Sequence, residues 1–263
     1  MSGQNVSFWD HLDVLRSVLL KSLGAWLVGA VAAFCLKDCI FRLLFAPTSH
    51  DFVLYRGLCR LADLTGWGRL CPEEVQVSFL NTELTAQFMA HLQVSLWFGL
   101  IFAFPFILYW LYGFIAPALY EKEKRYGVTL TFASVLLFTA GICVCYFLIF
   151  PISFRFLYEY QVVDFVVNQI SLSSYMSLFI TLSLLMGLTF EIPVLIWLLA
   201  KMGVLDADQM RKYRKHVFTA LLILAAIITP TGDPFTLLLV TLPIYLLYEL
   251  SIAIIRTKCA TVR

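Results

Sequence analysis

Of the 263 residues, 61% are hydrophobic and 14% are charged, and the mean hydropathy is +0.86. No soluble domain of this length needs so much apolar surface, so the chain reads as an all-α polytopic membrane protein. A net charge of +2 gives a nucleic-acid partner no electrostatic support.

The segment Ser7–Arg16 leads in. Leu12, Leu15, Leu19 and Leu20 recur at helical spacing and predict an amphipathic helix along the interface. It runs on into a first span at residues 17–39. Asp10 and Asp13 stand against Arg16 and Lys21, so the lead-in lacks the positive flank of a cleaved signal peptide, and the span is read as retained. Ala25, Gly29 and Ala33 are four apart and predict a face that another helix approaches closely.

Residues 40–89 read as a long polar loop. Ala46-Pro47 ends the helix before it, Leu54–Leu64 and Thr82–Leu92 are short helices, and Gly66-Trp-Gly68 and Cys71-Pro72 are turn material. Cys59 and Cys71 share this loop. They are candidates for one disulfide if it faces an oxidising compartment, and two free thiols is the alternative. Cys35, Cys39, Cys143 and Cys145 lie in or beside apolar segments as small hydrophobes. Cys143-x-Cys145 has neither metal-site spacing nor a nearby histidine.

Span two covers residues 92–112, with Pro105 inside as a predicted kink. The stretch Phe114-Ile-Ala-Pro-Ala-Leu-Tyr120 follows. Pro117 breaks the helical ladder there, and Glu121, Lys122, Glu123, Lys124 and Arg125 form a tight charged hairpin. A solvated loop held at the interface by its lysines is the plain reading of that hairpin. Span three covers 128–150 and stops at Pro151. A second outer loop, 151–173, holds Arg155, Glu159 and Asp164. Span four covers 174–200 and contains Glu191-Ile-Pro193.

Residues 201–216 are a polar loop. Span five, 217–228, is short: twelve residues reach about 18 Å against a hydrocarbon core of about 30 Å. After the turn Thr229–Pro234, span six covers 235–255 and holds Pro243 and Glu249. Six spans put both termini on one side. Thirteen of the nineteen Lys and Arg lie on that side, which marks it as cytoplasmic.

No hydrolase, nucleotide or metal motif is present, and His11, His50, His91 and His216 are isolated. The expectation is therefore no enzyme, no metal and no cofactor. Glu191 is the most informative single residue. A carboxylate in an apolar span costs on the order of 3 kcal/mol unless it is paired, protonated or facing water. It reads either as a partner contact or proton-sensitive site, or as a protonated structural hydrogen bond. Glu249 lies nearer the inner end of span six and reads as interfacial. Prolines 105, 193 and 243 bend three spans around a short fifth one, which predicts a concave face open to lipid.

The residues carry a resemblance across nearly the whole chain. Its anchors are His11-Leu-Asp-Val-Leu-Arg16, Ala46-Pro47, Phe114-Ile-Ala-Pro-Ala-Leu-Tyr120 with Glu123, Tyr146 with Phe150-Pro151, Phe190-Glu-Ile-Pro193, Thr229-Pro230 with Asp233, and Leu242-Pro-Ile-Tyr245 with Glu249. With these, the chain resembles TatC, the multispanning receptor subunit of the twin-arginine protein translocase. The resemblance implies a single glove-shaped six-helix domain, residues 1–263, in the cytoplasmic (inner) membrane of a prokaryote. It implies binding of twin-arginine signal peptides of folded cargo, with TatA and TatB-like single-span proteins and other TatC copies as partners, in transport driven by the proton gradient.

By the same resemblance Glu123 is the signal-binding glutamate, with Asp13, Arg16, Phe114, Glu121 and Arg125 around it. Glu191 faces partner helices, spans five and six are where TatA and TatB dock, and Pro47, Tyr146, Thr229 and Asp233 match positions the family relies on. Turn chemistry is the other reading of Pro47 and Asp233. One departure stands out. The family's His-Leu-Glu-Glu-Leu-Arg has two adjacent acids, whereas here Asp13 is followed by Val14. Asp13 or Glu121 is then the candidate for the second arginine. The first outer loop is longer than the resemblance leads one to expect, and Thr-Gly precedes Asp233. A proton-coupled solute transporter with Glu191 as relay is the alternative, but spans one to three do not repeat in spans four to six, as such transporters usually do.

Overall fold

The structure, a computed structural model, describes residues 8–49, 51–65, 77–81, 83–115, 127–163, 168–229 and 232–260. It is built almost wholly of helices. The lead-in and first span form one continuous helix, α1 (Phe8–Cys35). Then come α2 (Lys37–Phe45), a 3₁₀ turn at Ala46–Thr48 with Pro47 in it, and α3 (Val53–Thr65). No separate helix forms at 82–92. The helix starting at Ala86 runs straight on as α4 (Ala86–Ile115), with Pro105 inside it.

Span three departs from its predicted end. α5 (Gly127–Val144) passes into a π turn at Cys145–Ile149 and continues as α6 (Phe150–Glu159). Pro151 does not stop the chain; it sits at the second position of α6, directly after the π turn. The π turn absorbs the mismatch: the Phe150 N–H reaches back five residues to the Cys145 carbonyl.

Span four bends at Pro193, as the sequence predicts, and the bend is a turn between two helices. α7 (Leu172–Thr189) ends, Phe190 and Glu191 form a turn, and α8 (Ile192–Lys201) begins with Pro193 in its first turn. Pro193 cannot donate to the Thr189 carbonyl, so the ladder tightens to a three-residue bond from the Glu191 N–H to Leu188. α9 (Ala207–Lys212), α10 (Arg214–Ile228) and α11 (Pro234–Ala260) complete the chain. Five stretches among the described residues are long and apolar enough to cross a membrane: Leu12–Cys35, Ala86–Phe114, Val128–Glu159, Leu172–Lys201 and Pro234–Ile255. α10, the predicted short span, is 15 residues, or about 22 Å. Two short strands, β1 (Phe79–Leu80) and β2 (Ile170–Ser171), pair in parallel.

The chain divides into two compact units, residues 1–37 with 91–136, and 38–90 with 137–263. In the first, α1 and α4 cross at two glycines. A Cβ on Gly99 would lie 2.5 Å from the Ala30 nitrogen, and one on Gly29 would lie 2.9 Å from the Gly99 carbonyl oxygen. The crossing is pinned along α1 by the Trp26 indole, which donates to the Leu96 carbonyl at 2.8 Å. Near the end of α1, His91 Nε2 donates to the Phe34 carbonyl at 3.1 Å while the two rings stack at 3.9 Å.

In the second unit, α5 meets α7 through another glycine pair. A Cβ on Gly141 would lie 2.6 Å from the Met186 carbonyl oxygen, and one on Gly187 2.6 Å from the Phe138 ring. Tyr175 centres an aromatic cluster with Phe45, Phe79, Phe150 and Phe154, at centroid distances of 5.3, 5.1, 5.2 and 5.1 Å. A further core of Ile196, Met210, Tyr248, Ile252 and Ile255 joins α8, α9 and α11.

Candidate functional site

The first unit carries the described part of the candidate signal-binding surface. α1 presents Asp13 and Arg16 to the outside, one helical turn apart. Beside them lies an apolar groove of about 390 Å³, walled by Val14 and Val18 of α1, Trp110 and Phe114 of α4, and Val128 of α5. Val14, at the position where the resemblance leads one to expect an acid, is part of that wall. The Tyr112 hydroxyl, on the same groove, is buried without a hydrogen-bond partner. The structure thus brings Asp13, Arg16 and Phe114 onto one unit. Glu121, Glu123 and Arg125 lie outside the described residues.

The second unit explains why Pro47 and Tyr146 go together. The carbonyl of Leu43 would take its helical bond from the N–H of residue 47, and proline has none. The Tyr146 hydroxyl supplies it instead, donating at 2.7 Å. Tyr175 does the same for the next carbonyl, Leu44, at 2.7 Å, and Thr48 Oγ1 donates to Phe45 at 2.7 Å. Three consecutive carbonyls at the end of α2 therefore accept from side chains. Tyr146 lies within the π turn, so Pro151 and Pro47 are served by one local arrangement.

Asp233 is a helix cap. Its Oδ1 accepts from the Thr236 N–H at 2.6 Å, directly before Pro234 opens α11. Thr229 is buried, and both its N–H and its hydroxyl donate to the Ala225 carbonyl, each at 2.8 Å. Glu191 is half-buried at the turn between α7 and α8, with Oε1 fully covered. Cys59 is disulfide-bonded, while Cys35, Cys39, Cys143 and Cys145 are free thiols. Cys71, its predicted partner, lies outside the described residues. Among the described residues no group of three or more metal-binding side chains assembles.

The second unit also holds a cluster that sequence reasoning missed. Arg214 Nη2 meets Glu249 Oε2 at 2.5 Å, and the Tyr245 hydroxyl donates to Glu249 Oε1 at 3.0 Å. The Tyr248 hydroxyl donates to the Met210 carbonyl at 2.9 Å. Arg214 belongs to the basic run that leads into α10, where charge-counting sees only a cytoplasmic flank. Glu249→Ala leaves a half-buried guanidinium without its acid, and a loss of about 1–2 kcal/mol of stability in detergent is expected. Arg214→Ala with Glu249→Ala should cost less than the two single losses added. Strict additivity in thermal unfolding would show that the two side chains do not depend on each other.

A family model for the Sec-independent protein translocase protein TatC matches residues 10–243. The chain belongs to the TatC family. It is 33% identical over 252 residues to the Sec-independent protein translocase protein TatC of Blattabacterium sp. subsp. Periplaneta americana, covering 94% of each. It is 30% identical over 248 residues to the TatC of Deinococcus radiodurans, covering 94% of this chain and 85% of that one. A crystal structure of the twin-arginine translocase receptor TatC in DDM superposes with a TM-score of 0.76 at 30% identity, covering 93% of this chain and 99% of that one. A second crystal structure of that receptor gives 0.74 at 31% identity. The chain is therefore a membrane protein of a protein-transport family. No enzymatic activity is part of the family's description as a translocase protein.

Proposed function

We propose that this TatC-family protein is the signal-peptide receptor of a twin-arginine translocase. The observation that carries the reading is the groove walled by Val14, Val18, Trp110 and Phe114, with exposed Asp13 next to Val14 in α1 and the acids Glu121 and Glu123 next in the sequence after α4. Carboxylates take guanidinium groups through two parallel hydrogen bonds, which an ammonium cannot copy. One exposed pair contributes only about 0.2–1 kcal/mol, so the acids need an apolar surface beside them to hold a peptide. In this reading Glu123 takes one arginine, Asp13 or Glu121 the other, and the groove takes the apolar residues that follow.

The remaining parts of the proposal are a six-span, glove-shaped arrangement in the cytoplasmic membrane with both termini inside. Two independent features support that orientation: the positive charge of the terminal side, and the bonded Cys59 in the opposite loop, as expected for an oxidising compartment. TatA and TatB-like helices would dock along α10 and α11. Exposed Leu238, Leu242, Leu246 and Leu250 repeat every four residues there, and Glu191 would serve as the polar contact. With no ATP site in the sequence, the proton gradient is the energy source.

The test is binding of a twin-arginine signal peptide to the purified protein in detergent against a twin-lysine version. The arginine peptide is expected to bind about tenfold more tightly or better. Glu123→Gln should erase that preference, and Asp13→Asn should reduce it if Asp13 is the second acid. Equal binding of the two peptides overturns the assignment.

A further inference from the structure

The loop helix α3 is amphipathic in an unusual way, with three arcs rather than two. One arc is core: Phe52, just before the helix, with Tyr55 and Ala62, all buried. A second arc is apolar and open: Val53, Leu61 and Leu64 are 59%, 53% and 83% exposed. The third is charged and mainly basic: Arg56 and Arg60, one turn apart, and Asp63 at its far edge are exposed, and among the described residues neither arginine enters an ion pair. At about 100° per residue, the open apolar arc and the two arginines are immediate neighbours around the helix.

The core arc fixes where this helix sits in its own unit. Phe52 stacks on Phe147 with centroids 6.0 Å apart. Phe147 is 45% exposed within a stretch long and apolar enough to cross a membrane. Tyr55 then donates to the Pro151 carbonyl at 3.3 Å, and the Arg155 guanidinium stands 5.4 Å from the Tyr55 ring centroid. Burial pushes the Tyr55 hydroxyl pKa up to about 12, with Arg155 opposing and Glu159 adding, so it remains a neutral donor at any physiological pH. α3 therefore starts beside an exposed apolar side chain of that span, and it carries an open apolar arc of its own.

We infer that α3 is a membrane-interface helix whose open apolar arc enters the lipid and whose Arg56 and Arg60 hold the phosphate of an anionic phospholipid. The chemistry favours lipid over a protein partner. Arginines bordering an apolar stripe suit a phosphate layer above hydrocarbon, and long basic side chains reach up to it while their stems stay in the apolar zone. This inference is separate from the peptide-receptor reading and survives or fails without it.

The test places a photo-crosslinking amino acid at position 64, and in a second variant at position 61, in the full chain in native membranes. The exposed Phe132 position of α5 is the positive control. Phospholipid adducts at 61 or 64 are expected in mass spectra. Arg56→Gln with Arg60→Gln should lower the ratio of anionic to zwitterionic adducts by up to about fivefold for each arginine removed. Protein adducts alone would overturn the inference in favour of a partner that covers α3. No adduct at either position, with the control active, would overturn it in favour of water. An unchanged adduct ratio in the double variant would overturn the role of the arginines.

Discussion

Gly99→Leu is expected to break the first unit, and Gly24→Leu to leave it folded. A Cβ on Gly99 would lie 2.5 and 2.7 Å from the backbone nitrogen and Cα of Ala30 and 2.9 Å from its Cβ, so nothing flexible can yield. The two helices must separate. That puts at risk the Trp26–Leu96 bond and the His91–Phe34 clasp, which both join α1 to α4. Overpacking contributes about 1–3 kcal/mol and each lost bond about 1 kcal/mol, a large part of a typical domain's stability. Gly24, on the same helix, has nothing within 4 Å of its Cβ position. The crossing also holds Val14 and Val18 of α1 near Trp110 and Phe114 of α4, so on the proposed receptor role peptide binding should fall with stability. Size-exclusion profiles and thermal unfolding in detergent provide the check. Equal behaviour of the two variants would mean that close approach at Gly99 does not hold the unit together.

The spacing Ala25, Gly29, Ala33 announced this crossing, but not what it meets. Its counterpart was legible too: Ser95, Gly99 and Ala103 are also four apart, and Ser95 and Ala103 are buried at 2% and 0% exposure. That signal is hidden among the phenylalanines and leucines of α4. The prolines show where local rules stop. That Pro47, Pro151 and Pro193 lack an N–H follows from the sequence. What receives the stranded carbonyl is a tertiary matter. At Pro47 it is a tyrosine from the π turn; at the other two the ladder changes register just before the proline, to a five-residue bond ahead of Pro151 and a three-residue bond ahead of Pro193. Hence Pro151 looked like a terminator and is not one, whereas the bend expected at Pro193 is a turn between two helices. Arg214 and Glu249 are 35 residues apart, and no periodicity connects them. The cysteine in the loop was readable because a disulfide candidate needs only two thiols and a compartment. In the candidate site, the acids are legible as residue types, whereas the groove depends on how Val14 and Val18 meet Trp110 and Phe114, which only packing decides.

Tyr146→Phe is expected to destabilise the second unit by about 1–3 kcal/mol, and that loss should shrink when Pro47 is also replaced by alanine. With tyrosine at 146 the Leu43 carbonyl has a donor at 2.7 Å. With phenylalanine it has none, because the backbone donor four residues on belongs to a proline. Alanine at 47 restores the N–H, lets α2 extend by one bond, and leaves the hydroxyl dispensable. Pro47→Ala alone also removes a buried ring, and the double-mutant cycle subtracts that effect. A coupling of about 1 kcal/mol, with the double variant more stable than the sum of the singles, is the expected result in detergent unfolding. Additive losses would sink the idea that one carbonyl joins the two positions. Transport of a twin-arginine cargo gives a second reading on the same four proteins. If export follows stability through the cycle, Pro47 and Tyr146 act by shaping the end of α2. If Tyr146→Phe stops export while the Pro47→Ala background restores stability but not transport, the Tyr146 hydroxyl has a contact of its own outside this chain.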